Sequence, residues 1–148
     1  MTNEKSKLEE IVLPENYKPS ENEEYMNPMQ LAYFRKKLLD WKEELIEGSQ
    51  NTIKTLVEET NDTYSIAGDD VDRANDEALK QLELRTRDRE RKVISKIDAA
   101  LDRIEKGTFG YCEITDEPIG LKRLEARPIA TMTVEAQEEH ETKERMYK

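Results

Sequence analysis

The chain has 148 residues, 39 % of them charged and 35 % hydrophobic, with a formal net charge of −10. This suits one domain of long solvated helices rather than a large compact core, and the acidic balance argues against direct DNA binding and for a protein partner. No apolar run approaches the roughly 18 residues of a spanning helix, Met1 to Lys7 leads into no signal-peptide core, and the single Cys112 forbids an internal disulfide framework. The expectation is a cytoplasmic monomer with no membrane contact.

Residues 1–30 read as an N-terminal arm with a short helix, part of a globular region. Residues 1–24 hold three lysines and seven glutamates, and Pro14 and Pro19 break up the apolar cluster of Leu8, Ile11, Val12 and Leu13. Asn27-Pro28-Met29-Gln30 marks a helix start, with Asn27 as N-cap, Pro28 at the first position and Gln30 at the third. Leu31, Phe34, Leu38, Trp41 and Leu45, then Thr52 and Leu56, recur at coiled-coil spacing.

A second seam of Leu79, Leu82, Val93, Ile97, Ala100, Leu101 and Ile104 ends at Gly107. Two arms of equal length on the order of 50 Å, joined by a short turn, must run antiparallel, so residues 31–106 are predicted to form a hairpin. Its tip is the stretch 67–76, where Gly68 can end the first helix and Asp69 or Asp70 can cap the second. Asp69, Asp70 and Asp72 therefore concentrate negative charge at the far end of the pair. One cap needs one aspartate, so three within four residues point to a function beyond capping.

Between Glu83 and Lys96 there are six basic residues and three acidic ones. A solvated face held by i,i+4 pairs, Glu83 with Arg87 and Asp88 with Lys92, explains part of this run. Arginine also binds carboxylates and phosphates bidentately, so a contact surface is the second reading. Residues 107–132 form a small region with Phe109, Tyr111, Ile114, Ile119, Leu121, Leu124, Ile129 and Met132 as apolar candidates, too short to fold alone. A final helix over 133–148 takes Thr133 as N-cap and Glu135 near its positive end; Val134 joins the apolar set, and lone His140 decorates a polar surface. The fold class is all-α, a long antiparallel coiled-coil hairpin with a small globular domain and a C-terminal helix.

Several runs, taken together, carry a resemblance. They are Glu24-Tyr25-Met26-Asn27, Gln30-Leu31-Ala32, Phe34-Arg35, Val71-Asp72-Arg73-Ala74 and Arg87-Asp88-Arg89-Glu90-Arg91-Lys92. Phe109-Gly110-Tyr111-Cys112-Glu113, Ile119-Gly120 and Arg123-Leu124-Glu125-Ala126-Arg127-Pro128 follow. In this order the chain resembles the TraR/DksA family of RNA polymerase-binding transcription factors from about Glu24 to Ala130. The resemblance implies a factor that inserts a hairpin tip through the polymerase secondary channel and alters promoter-complex lifetime with the alarmone ppGpp, in the stringent response and at rRNA promoters.

Carried over by position, the resemblance implies a tip motif at Asp69, Asp72 and Ala74, with Asp70 where the family commonly has proline. It supports polymerase contacts at Arg87, Arg89 and Arg91. Its ppGpp-binding positions fall on Lys96 and Arg127, with Gln137 where a third cation would stand, so weaker ppGpp dependence is expected; the alternative for Arg127 is an ion pair that pins the globular part to the hairpin. The family's four zinc-binding cysteines match Cys112, Thr115, Thr133 and Ala136, and one thiol with two hydroxyls does not make a structural zinc site, so no zinc is expected. An enzyme is not expected, since there is no nucleophile–base pair, glycine-rich phosphate loop or metal cluster. Two alternatives are a Gre-like transcript-cleavage factor, whose tip carboxylates hold Mg²⁺ for the polymerase, and a coiled-coil adaptor unrelated to transcription.

Overall fold

The computed structural model describes Leu8, residues 10–64 and residues 69–147; the side chains of residues 52, 53, 56, 59–64 and 69–72 are outside that description. Four helices are named along it: α1 (Pro28–Tyr64), α2 (Asp69–Lys106), α3 (Leu121–Ala126) and α4 (Val134–Met146). The fold is all-α. Among the described residues the only extended pairing is an isolated antiparallel bridge between Tyr111 and Pro118.

The start of α1 is written in its own side chains. The backbone N–H of Gln30 donates to Asn27 Oδ1 at 2.9 Å, and Gln30 Oε1 reaches back to accept from the Met26 N–H at 2.8 Å. Two orphan donors are thereby satisfied, with the return bond falling one residue before the cap. Met26 has a φ of +55°, a left-handed conformation that side chains with a Cβ rarely adopt. Its side chain lies against Gly110, where an added Cβ would sit 2.8 Å from Met26 Cγ. Gly110, at φ +90°, is thus held to glycine by both backbone and space.

The end of α2 follows the expected stop. Gly107 has φ +78°, its N–H donates to Ile104 O, and Thr108 N–H donates to Arg103 O at 2.9 Å. These bonds make a Schellman motif, which satisfies carbonyls that the helix leaves open. The α4 cap is also as expected, with Thr133 Oγ1 accepting from Ala136 N–H at 3.2 Å and Glu135 in the first turn.

The chain forms two compact units, one of Met1–Leu39 with Ile97–Lys148 and one of Asp40–Lys96. The first has a core of Ala32, Phe34 and Leu38 from α1, Ile97, Ala100 and Ile104 from α2, and Phe109, Ile119, Leu124, Ala130 and Ala136 beyond them. The Phe34 and Phe109 rings meet at 5.6 Å and 48°. The second unit pairs the C-terminal part of α1 with the N-terminal part of α2. Helices of 37 and 38 residues with so few residues between them return as an antiparallel coiled-coil hairpin.

Trp41, Leu45, Leu79 and Val93 are half-buried in that unit. Leu82, expected on the seam, is instead 42 % exposed. Two helices alone bury one narrow stripe each, so a residue off the stripe meets no third layer. In the first unit Ile114 and Val134 are corrections of the same kind, at 60 % and 46 % exposed. The Ile114 N–H is turned toward the Cys112 sulfur, which leaves its side chain outside the turn. Gly68, expected to end α1, lies outside the described residues.

Candidate functional site

The tip residues open α2. Asp69 is its first residue, and Asp70 and Asp72 fall in the same first turn, where the helix dipole favours negative charge. Their side chains, and so the expected cap, lie outside the described residues. Ala74 is exposed one turn on.

The basic run lies further along α2. Arg87 is paired with Glu83 at 2.6 Å, as the i,i+4 reading expects, whereas no ion pair joins Asp88 to Lys92. Arg85, Arg89 and Arg91 are exposed and have no ion-pair partner among the described residues. At 100° per residue, Arg87 and Arg91 share one side of the helix and Arg85 and Arg89 another. Leu84, next to them, is 61 % exposed. The exposed Leu84 thus stands among guanidinium groups of which, among the described residues, only that of Arg87 has an ion-pair partner.

The matched zinc-ligand positions gather in the first unit. Residues 112–117 form a turn closed by Asp116 N–H to Cys112 O at 3.0 Å and by Cys112 N–H to Glu117 O at 2.8 Å. Glu113 N–H donates to Thr131 O at 2.9 Å and ties this turn to the segment that leads into α4. Cys112 is 1 % exposed, Thr133 and Ala136 6 % each. Burial pushes the Cys112 thiol up, but the Thr115 hydroxyl and the N–H groups of Thr115, Thr133 and Ile114 donate to the sulfur and bring it down to about 7. The Thr133 hydroxyl is already used as the α4 cap. A donor set of one thiol, two hydroxyls and a methyl does not fit a C4 zinc site, which takes four tetrahedral thiolates. Among the described residues no three histidine, cysteine or acidic side chains gather in a group able to hold a metal.

The positions matched to ppGpp binding are distributed over both units. Lys96 is exposed at the end of the second unit, and Arg127 is exposed in the first, directly after α3. Gln137, half-buried on α4, donates to Glu141 Oε1 at 3.1 Å. No ion pair involves Arg127 among the described residues, so it is not what pins the globular part.

That task falls to side chains the sequence pattern did not single out. Lys37 Nζ donates to Glu125 Oε1 at 2.8 Å and to the Glu125 backbone carbonyl at 2.9 Å, and Tyr33 Oη donates to the same carboxylate at 2.6 Å. At the other end of α3, Tyr25 Oη accepts from Gly120 N–H at 3.0 Å and donates to Gly110 O at 2.6 Å. Arg123 Nε donates to Met132 O at 2.8 Å. On α4, His140 is exposed, as expected, and 3.2 Å from Glu144.

The model of the DnaK suppressor protein DksA N-terminal domain matches residues 30–104, and that of the prokaryotic dksA/traR C4-type zinc finger matches residues 107–141. The RNA polymerase-binding transcription factor DksA of Caulobacter vibrioides is 56 % identical over 138 residues, 93 % of this chain and 94 % of that one. Its Escherichia coli K12 counterpart is 41 % identical over 131 residues, covering 88 % and 84 %. The structure of transcription factor DksA2 from Pseudomonas aeruginosa matches with a TM-score of 0.67 at 40 % identity, over 86 % of this chain and 94 % of that one. With one family model matched across both long helices and another across the turn that holds Cys112, the chain belongs to the DksA family.

Proposed function

We propose that this chain is a non-enzymatic transcription regulator that acts as a monomer in the cytoplasm, binding RNA polymerase at its secondary channel and presenting the start of α2 toward the active site. There it alters promoter-complex stability together with ppGpp. The observation that carries this reading is the placement of Asp69, Asp70 and Asp72 in the first turn of a 38-residue helix that returns along a 37-residue one. A pair of helices each about 55 Å long can carry charge through the wall of a much larger enzyme, where a globule of this mass cannot.

Each set of residues has its part. Asp69 and Asp72 bias mobile polymerase elements electrostatically, and small Ala74 keeps the approach narrow. Arg87, Arg89 and Arg91 bind carboxylates on the polymerase, and Leu84 adds apolar contact beside them. Lys96 and Arg127 hold the phosphates of ppGpp, and Gln137 supplies no charge there, so the dependence on ppGpp is weaker than a third cation would make it. The domain folds without zinc, since its sulfur and hydroxyl groups are committed to hydrogen bonds.

The test is multi-round transcription from a ribosomal promoter with purified polymerase, with and without ppGpp. The expected result is repression by the factor alone, deepened modestly by ppGpp, with RNA in stalled complexes left at full length. Unchanged transcription would end the reading, and shortened RNA would move it to a cleavage factor.

A further inference from the structure

Helix α3 has six residues, far below the length at which a helix is stable alone, so its position is set by what grips it. The grip at its C-terminal end is uneven in an informative way. One ammonium, Lys37 Nζ, bonds both the side chain and the backbone carbonyl of Glu125. The carbonyl is one of those a helix end leaves open, so Lys37 caps α3 from α1. Tyr33 Oη holds the same carboxylate oxygen, and the Lys37 ammonium lies 5.9 Å from the Tyr33 ring centroid. Burial pushes the Glu125 carboxyl up, but the bonds from Lys37 and Tyr33 outweigh it and leave the group below its usual range.

Two residues beyond this grip stands Arg127. Its N–H donates to Arg123 O at 2.7 Å and its carbonyl accepts from Ala130 N–H at 3.0 Å. Pro128, which follows it, is buried and holds Arg127 in the extended region, at φ −143°. The Arg127 backbone is therefore fixed to α3 on one side and to a buried proline on the other, while its guanidinium is exposed and unpaired. Wherever Lys37 and Tyr33 seat Glu125, Arg127 follows.

We propose that Lys37, through Glu125, is a positioning residue for Arg127, seating its guanidinium to receive the phosphates of a polyphosphorylated guanine nucleotide. This rests on the ppGpp reading given above. Lys37 makes no contact with the nucleotide. Its effect is on how well the Arg127 fork is aimed, and a fork that binds bidentately is sensitive to aim.

The experiment measures binding of radiolabelled ppGpp to the reconstituted polymerase–factor complex, for the unaltered factor, Lys37→Met, Lys37→Arg and Arg127→Ala. Factor affinity for polymerase without ppGpp and the thermal midpoint of each variant are measured alongside. Lys37→Met is expected to weaken ppGpp binding about two- to tenfold, the equivalent of one net hydrogen bond. Polymerase affinity without ppGpp stays within about twofold, because a substitution away from the contact surface couples to it only weakly, and Lys37→Arg restores ppGpp binding. Normal ppGpp binding in Lys37→Met with weakened binding in Arg127→Ala overturns the inference and leaves the alarmone reading standing. No change in either variant ends the alarmone reading, and the inference with it. Equal losses of ppGpp and polymerase affinity in Lys37→Met, or no rescue by Lys37→Arg, also overturn it. Should Lys37→Met fail to fold, Glu125→Gln takes its place with the same expected and overturning results.

Discussion

Phe109→Ala separates a domain held by apolar packing from one held by metal. Phe109 is 1 % exposed, lies between the α2 stop and the Cys112 turn, and meets Phe34, itself fully buried, at 5.6 Å. Truncating a buried phenylalanine costs roughly 3–5 kcal/mol, the lost transfer free energy plus the cavity left behind. Leu38, Ile97 and Leu124 are also fully buried in this core, so the cavity cannot collapse cheaply and the upper half of that range is expected. In a chain of this size each kcal/mol moves the thermal midpoint by roughly 2–4 °C, so the midpoint should fall by about 8–20 °C. The assay is thermal unfolding followed by circular dichroism, on protein with and without excess chelator. Chelator should leave both midpoints unchanged, because a structural zinc contributes on the order of 10 kcal/mol and its removal would be conspicuous. A chelator-sensitive midpoint, or stoichiometric zinc in protein purified without added metal, refutes the reasoning; so does a Phe109→Ala cost below about 1 kcal/mol.

Asp72→Asn should bind polymerase as the unaltered chain does and lose regulation of a ribosomal promoter in vitro; full regulation would remove the tip from the mechanism. Tyr17 donates to Glu23 at 2.9 Å and Tyr33 to Glu125 at 2.6 Å, and burial followed by these carboxylates pushes both phenols up to about 12. A raised folded pKa stabilises below the unfolded value, so urea midpoints should hold up to about pH 10 and fall toward pH 12, and the fall should be shallower in a Tyr17→Phe, Tyr33→Phe chain. Cys112 titrates the other way. Its folded pKa of about 7 lies below the ordinary 9.0, so its contribution is complete above pH 9 and lost as pH falls through 7. The unfolding free energy should therefore rise from pH 7 to 9, and Cys112→Ser should flatten that rise; an unchanged slope would show that another group sets it.

The elements that were legible in the sequence are the ones decided within a few residues. The Asn27, Pro28 and Gln30 start, the Gly107 stop and the Thr133 cap each depend on donors and acceptors three or four positions apart, and the structure has them where they were read. The Glu83–Arg87 pair is of the same kind. Leu82 failed because periodicity says which residues share a stripe and not whether anything covers it. The grip of Lys37 on Glu125 spans 88 residues of sequence and of Tyr25 on Gly120 95, and no local pattern announces either. The run from Arg123 to Pro128 contains both Glu125 and Arg127, but nothing in it marks Lys37 as the partner of Glu125.

The region matched by the zinc-finger model shows how a fold can stand on the positions of a metal site without its ligands. Four metal bonds would normally do two jobs, closing the Cys112 turn and tying it to the start of α4. Here the first job is done locally, by the bonds between Cys112 and Asp116 and Glu117 and by the left-handed Asp116 at φ +60°. The second is divided between Glu113 N–H to Thr131 O and the Thr133 N–H directed at the Cys112 sulfur, while the Thr133 side chain turns to cap its own helix. One sulfur thus accepts from four donors, the Thr115 hydroxyl and the N–H groups of Thr115, Thr133 and Ile114, and gathers both segments around itself. Cys112 serves through what it accepts, while Thr133 spends its hydroxyl on the α4 cap.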